Sequence, residues 1–233
     1  MKQTILNPAI LAAAVLAIAG PGVCRATAVY YNNFGSGSSY DVSEGLLIGN
    51  GFDGNNYAEA VQITSAIVTG NLSSLLLPLS CAAACPDPIT VSLAMDNSGL
   101  PGTVLESFTV AGGLLGGLGN NNAPITLNSV VDPVLTAGSF YWVTVKADTN
   151  DSLAWNYNSI GDTANEAIST YGGVTWAVSG ISVGALEVNV TPSAGVPEPP
   201  PLLTLLSGAF VLGIAKRFFR RQARGGSPSP VRG

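Results

Sequence analysis

Histidine is absent from this chain of 233 residues, and its absence limits the chemistry that the chain can perform. Nucleophilic sites of the Ser-His-Asp and Cys-His kinds cannot be assembled without an imidazole, and neither can the commonest catalytic zinc sites. The residues left for chemistry are carboxylates, cysteines and aromatic rings. We therefore expect a protein that is not an enzyme, with no catalytic residues and no metal ligands.

Four acidic residues in the second half of the chain provide the alternative to that expectation: Asp148, Asp151, Asp162 and Glu166. Two carboxyl groups flanking a glycosidic bond are the machinery of most glycoside hydrolases, so a carboxylate-dependent hydrolase is one alternative function. Residues 148–151, Asp-Thr-Asn-Asp, could also bind Ca²⁺ through carboxylate and carbonyl oxygens. They lack the spacing of a complete calcium loop, so we expect no cofactor and keep Ca²⁺ as the alternative.

Cys81 and Cys85 lie close together between two strand-like segments. Two thiols without histidine leave a zinc ion short of its usual four ligands. In an exported chain, an even pair of cysteines is typical of a disulfide. We predict a Cys81–Cys85 disulfide, which closes a small ring and stabilises at the low end of about 2–4 kcal/mol.

Aromatic residues near Asn and Gly turns suggest a ligand site. Flat rings beside amide side chains are typical of saccharide-binding β-proteins, and the residues in question are Trp155, Tyr157 and Trp176. They support a second alternative function, a carbohydrate-binding module associated with exopolysaccharide. Trp142 and Trp155 lie within strand patterns, so core packing is the default prediction for both.

The elements that must position these residues are short strands. Several segments between residues 29 and 193 alternate apolar and polar residues, turns rich in Gly, Asn, Asp and Pro separate them, and no amphipathic helix of ten or more residues occurs between the two ends. The pattern predicts a mainly β fold, an antiparallel β-sandwich or jelly roll. The predicted strands are Val29–Asn33, Val61–Thr69, Ile89–Met95, Val104–Val110, Ile125–Val130, Phe140–Lys146, Leu153–Tyr157, Val174–Val178 and Leu186–Val190.

Charge is distributed very unevenly along the chain. Residues 29–198 contain all fourteen acidic residues, whereas Lys146 is their only cation, which gives this part a net charge of −13. Proteins that bind nucleic acid need a positive surface, so we exclude nucleic acid as a partner. The acidic composition is typical of an exported domain.

The N-terminus has the features of a secretory signal peptide. A cation at Lys2 precedes an apolar run over residues 9–19, and small residues end the segment at Ala26-Thr27-Ala28. We predict a signal peptide over residues 1–28, read by the Sec machinery. A second membrane anchor and a lipoprotein site at Cys24 are the alternatives.

The apolar segment near the C-terminus predicts a transmembrane helix. Counting from residue 202 through residue 219 gives 18 residues, about 27 Å at about 1.5 Å per residue. A hydrocarbon layer is about 30 Å thick, so a buried core helix is the alternative. Residues 220–233 form a basic tail that we expect to stay in the cytoplasm. The predicted stop-transfer residues are Lys216, Arg217, Arg220 and Arg221.

A proline-rich linker at residues 194–201 precedes this helix and contains Val196, Pro197, Glu198 and Pro199. Together with the helix and the basic terminus, it resembles the PEP-CTERM sorting signal of Gram-negative bacteria. In that family the membrane-bound cysteine protease-transpeptidase exosortase recognises and processes the signal. The resemblance implies exosortase and the inner membrane as partners. It also implies an anchored intermediate with a periplasmic domain, which then reaches the cell surface or extracellular matrix.

A second resemblance lies in the middle of the chain. Residues 96–105, Asp-Asn-Ser-Gly-Leu-Pro-Gly-Thr-Val-Leu, and residues 135–142, Leu-Thr-Ala-Gly-Ser-Phe-Tyr-Trp, are similar to the choice-of-anchor exported domains that often precede PEP-CTERM tails. Those domains imply a β-sandwich. The function we expect is that of a non-enzymatic exported surface or matrix protein carrying a sorting signal.

Overall fold

The computed structural model describes residues 26–50, 53–180 and 182–193, and in these residues every regular element except one 3₁₀ turn is a β-strand. The prediction of a mainly β fold is therefore confirmed. None of the described residues belongs to a helix that could cross a bilayer. The sorting motif, the predicted transmembrane helix and residues 1–25 of the predicted signal peptide lie outside the described residues.

The strands follow one another closely along the chain. They are β1 (Ala28–Asn32), β2 (Tyr40–Asn50), β3 (Asn56–Thr64), β4 (Gly70–Leu77), β5 (Leu79–Cys81), β6 (Pro88–Asp96), β7 (Pro101–Ala111), β8 (Ile125–Asn128), β9 (Val134–Leu135), β10 (Phe140–Lys146), β11 (Ser152–Asn158), β12 (Glu166–Ser169), β13 (Ala177–Ser179) and β14 (Glu187–Pro192). The 3₁₀ helix, Gly112–Leu114, follows β7.

The smaller sheet has the order β1-β14-β4-β8, and β9 also pairs with β4. All of its pairings are antiparallel. Its strands bury one face only: in β14, Val188 and Val190 are buried whereas Glu187 and Asn189 are partly exposed. This alternation is what a sheet with one solvated face requires.

The larger sheet has the order β5-β11-β2-β3-β10-β6-β7, and it divides beside β3. One edge of β3 pairs with β10 over residues 58–64. The other edge pairs first with β2, at Tyr57 and Asn56, and then with β12 over residues 58–61. The edge of β3 thus changes its pairing partner from β2 to β12 after Tyr57, and the sheet has a gap between β2 and β12.

The two sheets share one core, which makes the fold sandwich-like. Leu75 and Val188 of the smaller sheet belong to the same buried apolar cluster as Val61 and Val143 of the larger sheet. We call this cluster the main core. On the opposite face of the larger sheet a second cluster, the outer cluster, consists of Ala60, Ala94, Trp142 and Ala167.

Several strand predictions differ from the structure. The strand β2 was not predicted, and β3 begins at Asn56 rather than at Val61. The glycines of β2 lower its predicted strand propensity. Gly45 is nevertheless required by close packing, because a Cβ there would lie 2.4 Å from the Trp155 carbonyl oxygen. The predicted strand at 174–178 is mostly loop, and β13 covers only Ala177–Ser179.

Candidate functional site

A pocket of about 480 Å³ opens where β2 leaves β3, and it is the best candidate site among the described residues. The lining residues become more buried from the mouth of the pocket to its floor: Asp53 is exposed, Tyr57 and Tyr157 are half-buried, and Glu59 is buried. The volume lies within the range of about 300–1,000 Å³ typical of small-molecule sites. The lining residues are Gly45, Leu46, Leu47, Asp53, Tyr57, Glu59, Tyr157 and Ile168.

Two carboxyl groups meet at the floor of this pocket. Glu59 has the same strand parity as Val61, so its side chain lies on the face of the main core. Glu166 of β12 is the register partner of Val61, which places it on that same face. Glu59 is 2% exposed and Glu166 is fully buried. The two side chains are joined by a hydrogen bond.

This environment keeps Glu59 protonated. Burial, then the charge of Glu166 and the hydrogen bond to it, raise the pKa of Glu59 from 4.5 to about 10. The Oε2 atom of Glu59 has no hydrogen-bond partner within the described part of the chain. Two carboxylates this close cannot both ionise cheaply, so the pair holds at least one proton at neutral pH.

No cation of the described residues compensates the pair. The only cation between residues 26 and 193 is Lys146. Val145 pairs with Glu59 and lies on the same face of the sheet, so Lys146, the next residue of β10, lies on the opposite face. There its Nζ donates to the carbonyl oxygen of Gly173 at 3.4 Å. Within the described residues, protonation of Glu59 and its hydrogen bond to Glu166 therefore reduce the repulsion between the two carboxyl groups.

The tyrosines add two phenol rings to the pocket walls. Tyr57 donates its hydroxyl to Asp53 Oδ2 at 2.7 Å. That hydrogen bond, followed by those from Asn55, lowers the pKa of Asp53, so the mouth of the pocket is negatively charged. Burial, and then electrostatic interactions with Glu166, Glu59 and Glu44, raise the pKa of Tyr157. The Tyr157 ring is thus a neutral wall beside the carboxyl pair.

Two of the predicted hydrolase carboxylates, Glu166 and Asp162, have other partners in the structure. Glu166 pairs with Glu59, and Asp162 instead accepts hydrogen bonds from the Tyr31 hydroxyl at 2.6 Å and from Asn33 Nδ2 at 3.3 Å. Glycoside hydrolases hold their two carboxyls about 5–9.5 Å apart to admit the substrate and water. The hydrogen-bonded pair of Glu59 and Glu166 is too close for that arrangement.

Residues 148–151 also make contacts of their own. Asp148 Oδ1 accepts from the backbone N–H of Thr149 at 2.6 Å, and Asp151 Oδ1 accepts from the N–H of Asp87 at 3.1 Å. Within residues 26–50, 53–180 and 182–193, no group of three or more His, Cys, Asp or Glu side chains is arranged to hold a metal ion. These contacts lend no support to the Ca²⁺ alternative, which stays a prediction.

Trp155, one of the aromatic residues predicted to bind a ligand, lies in the main core. Trp155 is fully buried, and its Nε1 donates to the carbonyl oxygen of Ala185 at 2.8 Å. Trp142 is also fully buried, so the prediction of core packing is confirmed for both residues. Trp155 therefore cannot offer its ring to a saccharide, and we correct that part of the ligand-site prediction.

The other two rings lie in different places. Trp176 packs against the outer cluster, whereas Tyr157 packs against the main core and lines the pocket. Tyr157 alone of the three predicted ligand residues therefore belongs to the candidate site. Its strand, β11, alternates so that Trp155 and Tyr157 share a face, with the tryptophan deeper in the core.

Sequence reasoning missed Glu59 and Tyr57. The sequence contains a pattern that could have identified Glu59. In the segment 57–63, Tyr-Ala-Glu-Ala-Val-Gln-Ile, Glu59 alternates with Val61 and Ile63 and so lies on the same face of a strand as these apolar residues. Glutamate is almost never fully buried without a partner, so an acid at an inward position marks a special environment. The partner, Glu166, lies more than a hundred residues away in the chain and could not be identified from spacing.

The predicted disulfide is confirmed, since Cys81 and Cys85 are bonded. The bond lies at the end of β5, where the N–H of Cys81 donates to the carbonyl oxygen of Gly116 at 2.8 Å. The disulfide is part of the scaffold beside β11, the strand that carries Tyr157. It takes no part in the pocket lining.

The predicted sorting residues Val196–Pro199 and the predicted stop-transfer residues 216–221 lie outside the described residues, so both remain predictions. Comparison of the chain with protein-family models, with curated proteins and with solved structures finds no match.

Proposed function

We propose that this chain is a non-enzymatic exported protein of a Gram-negative cell surface or extracellular matrix, carrying a PEP-CTERM sorting signal that exosortase processes. The observation that carries the proposal is the order of three unlike elements at the C-terminus: the Pro-Glu-Pro motif, an apolar segment and a basic cluster. That order implies a membrane-anchored intermediate, with the β domain on the periplasmic side.

The folded part of the chain supports this proposal in two ways. The Cys81–Cys85 disulfide is typical of a protein that matures in an oxidising compartment. The β-sandwich-like domain begins with β1 at Ala28, beside the predicted signal-peptide cut, and β14 ends at Pro192, directly before the proline-rich linker. A cut after Ala28 would leave β1 paired with β14 from Val29 onward.

Processing of the full-length chain in a Gram-negative host that has an exosortase tests the proposal. Intact mass of the surface-extracted protein should show loss of residues 1–28 and a second cut near Pro197–Pro199. Replacing Pro197, Glu198 and Pro199 with Ala should abolish the second cut. Replacing the neighbouring Pro200 and Pro201 with Ala is the matched control and should leave it unchanged. A full-length, unprocessed product in the cytosol would overturn the proposal.

A carbohydrate-binding module is the second candidate function, because Tyr157 presents a ring in a pocket with aliphatic walls at Leu47 and Ile168. A glycan array read with a Tyr157→Ala variant tests it, and a Trp176→Ala variant is the control on the other face. Exopolysaccharide is the expected partner. A carboxylate-dependent hydrolase is the weaker alternative function.

A further inference from the structure

We infer that the pocket between β2 and β12 binds an organic ligand through a protonated amine, with the ammonium group on Glu59 and the carbon skeleton between Tyr57, Tyr157 and Ile168. This inference does not rest on the proposed sorting, because it concerns binding by the β domain alone. It assigns a ligand class to a site that neither sequence motif nor similarity identified.

The floor of the pocket contains a hydrogen-bond acceptor that has no donor among the described residues. Glu59 is 2% exposed, it lines the pocket, and its Oε2 atom has no hydrogen-bond partner in the described part of the chain. A buried polar atom left unpaired destabilises the fold, and a charged one destabilises it more. An ammonium group carries three donors and a positive charge, and it would satisfy this acceptor and the charge of the pair together.

The charges around the site select a cation over an anion. Glu166 on β12 faces Glu59, Glu44 on β2 acts on Tyr157, and Asp53 lies at the mouth. Val145, the neighbour of Glu59 on β10, is uncharged, and Lys146 lies on the other face of the sheet. The pocket thus has acids at both its mouth and its floor and no basic group among its lining residues.

The walls select an organic cation over a metal ion. Leu46, Leu47 and Ile168 are aliphatic, and hard cations require a shell of several oxygen ligands that these residues do not provide. The rings of Tyr57 and Tyr157 line the pocket, and aromatic rings attract an ammonium group placed over them. A volume of about 480 Å³ also leaves room for a carbon skeleton behind the charged group.

Binding should release a proton. In the apo protein the pair of Glu59 and Glu166 holds at least one proton at neutral pH, as the burial of both groups requires. A cation placed beside the pair favours its ionised form, so the amine enters with its charge and a proton leaves to solvent. The affinity should therefore rise as the pH increases from 5 to 8, while alkyl amines stay protonated over this range.

The test is isothermal titration calorimetry on the full chain in detergent micelles, with n-hexylamine as the probe and n-hexanol as its neutral isostere. Hexylamine should bind at least tenfold more tightly than hexanol. Titrations in phosphate and in MOPS buffer, whose ionisation enthalpies differ and which contain no primary amine, should reveal proton release on binding of the amine. Equal affinity for the amine and the alcohol, or no binding of either, would overturn the inference.

Variants separate the charge from the shape of the pocket. Glu59→Gln should weaken hexylamine binding at least tenfold and abolish proton release, while Glu187→Gln, on the smaller sheet, should change neither. Tyr157→Leu should weaken the amine and leave hexanol unaffected. Circular dichroism confirms that each variant is folded, and hexylamine binding that survives Glu59→Gln at full strength would contradict the assignment of the ammonium group.

Two natural sources share this chemistry, small alkyl amines and amino sugars, and further arms of the same titration distinguish them. Glucosamine and N-acetylglucosamine share the sugar ring, and the acetyl group of the second replaces the charged ammonium with a larger, neutral amide. Tighter binding of glucosamine than of hexylamine assigns the site to an amino sugar, and the reverse order assigns it to a small amine. Binding of N-acetylglucosamine as tightly as glucosamine would refute recognition of an ammonium group.

Discussion

Replacing Glu59 with Gln should stabilise the protein at neutral pH, contrary to what most substitutions of buried residues do. The side chain of Gln has nearly the same shape as that of Glu, and its neutral amide can still form a hydrogen bond to Glu166. Unlike the carboxyl group of Glu59, this amide does not have to take up a proton to be buried. The native fold holds a proton on Glu59 because burial, the charge of Glu166 and their hydrogen bond raise the pKa of Glu59 to about 10, whereas the unfolded chain ionises near 4.5.

The magnitude follows from these two pKa values. Between pH 4.5 and about 10 the folded state binds one proton more than the unfolded state, so the free energy of unfolding falls as the pH rises. The slope is about 1.4 kcal/mol per pH unit, and pH 7 lies about 2.5 units above 4.5, which makes the cost about 3.5 kcal/mol. We expect Glu59→Gln to recover up to about 3.5 kcal/mol at pH 7 and almost nothing at pH 4.

The assay is guanidinium unfolding of the full chain in detergent, followed by the fluorescence of the buried Trp142 and Trp155 at several pH values. Wild-type stability should fall from pH 5 to pH 9, and the variant should show a much flatter profile. Glu44→Gln is the matched control, since it removes an exposed acid from the same region. Wild-type stability that is constant or increases over this range, with a pH-independent difference between the two proteins, would refute the reasoning.

Three further predictions concern the scaffold, all measured by the same unfolding assay. Trp155→Ala should cost about 3–5 kcal/mol because the ring is fully buried, whereas Trp176→Ala, half-buried on the outer cluster, should cost much less, and equal losses would be inconsistent with the core described. Reducing the Cys81–Cys85 bond should cost about 2 kcal/mol, and an unchanged midpoint with dithiothreitol would contradict a stabilising role. Gly45→Ala should cost about 1–3 kcal/mol because its Cβ would lie 2.4 Å from a backbone oxygen, while Gly113→Ala, with open space around it, should stay within about 0.5 kcal/mol.

Local patterns were sufficient for the strands that alternate cleanly. Residues 140–146 form β10 as predicted, because large β-branched and aromatic residues fit a pleated, half-buried surface wherever the strand lies in a sheet. The prediction was incomplete at β2, where glycines and acids lower the local preference for a strand. Packing against β11 outweighs that preference, since only glycine at position 45 allows the backbones to come so close.

The candidate site was only half visible from the sequence. Glu166 was identified as a carboxylate of interest, but its expected partners were its neighbours in the chain. The pairing of β3 with β12 brings Glu59 to it instead, and the parity of the two strands places both acids on the core face.

From the residues alone come the mainly β fold, the disulfide and the burial of two tryptophans, because strand alternation, cysteine spacing and apolar periodicity act over a few neighbouring residues. The division of the larger sheet beside β3, and with it the pocket, is decided only in the folded protein. Strand pairing joins segments that are far apart in the sequence, and each strand edge has several possible partners. The protonation of Glu59 depends on this pairing, because the pairing of β3 with β12 places Glu166 beside it.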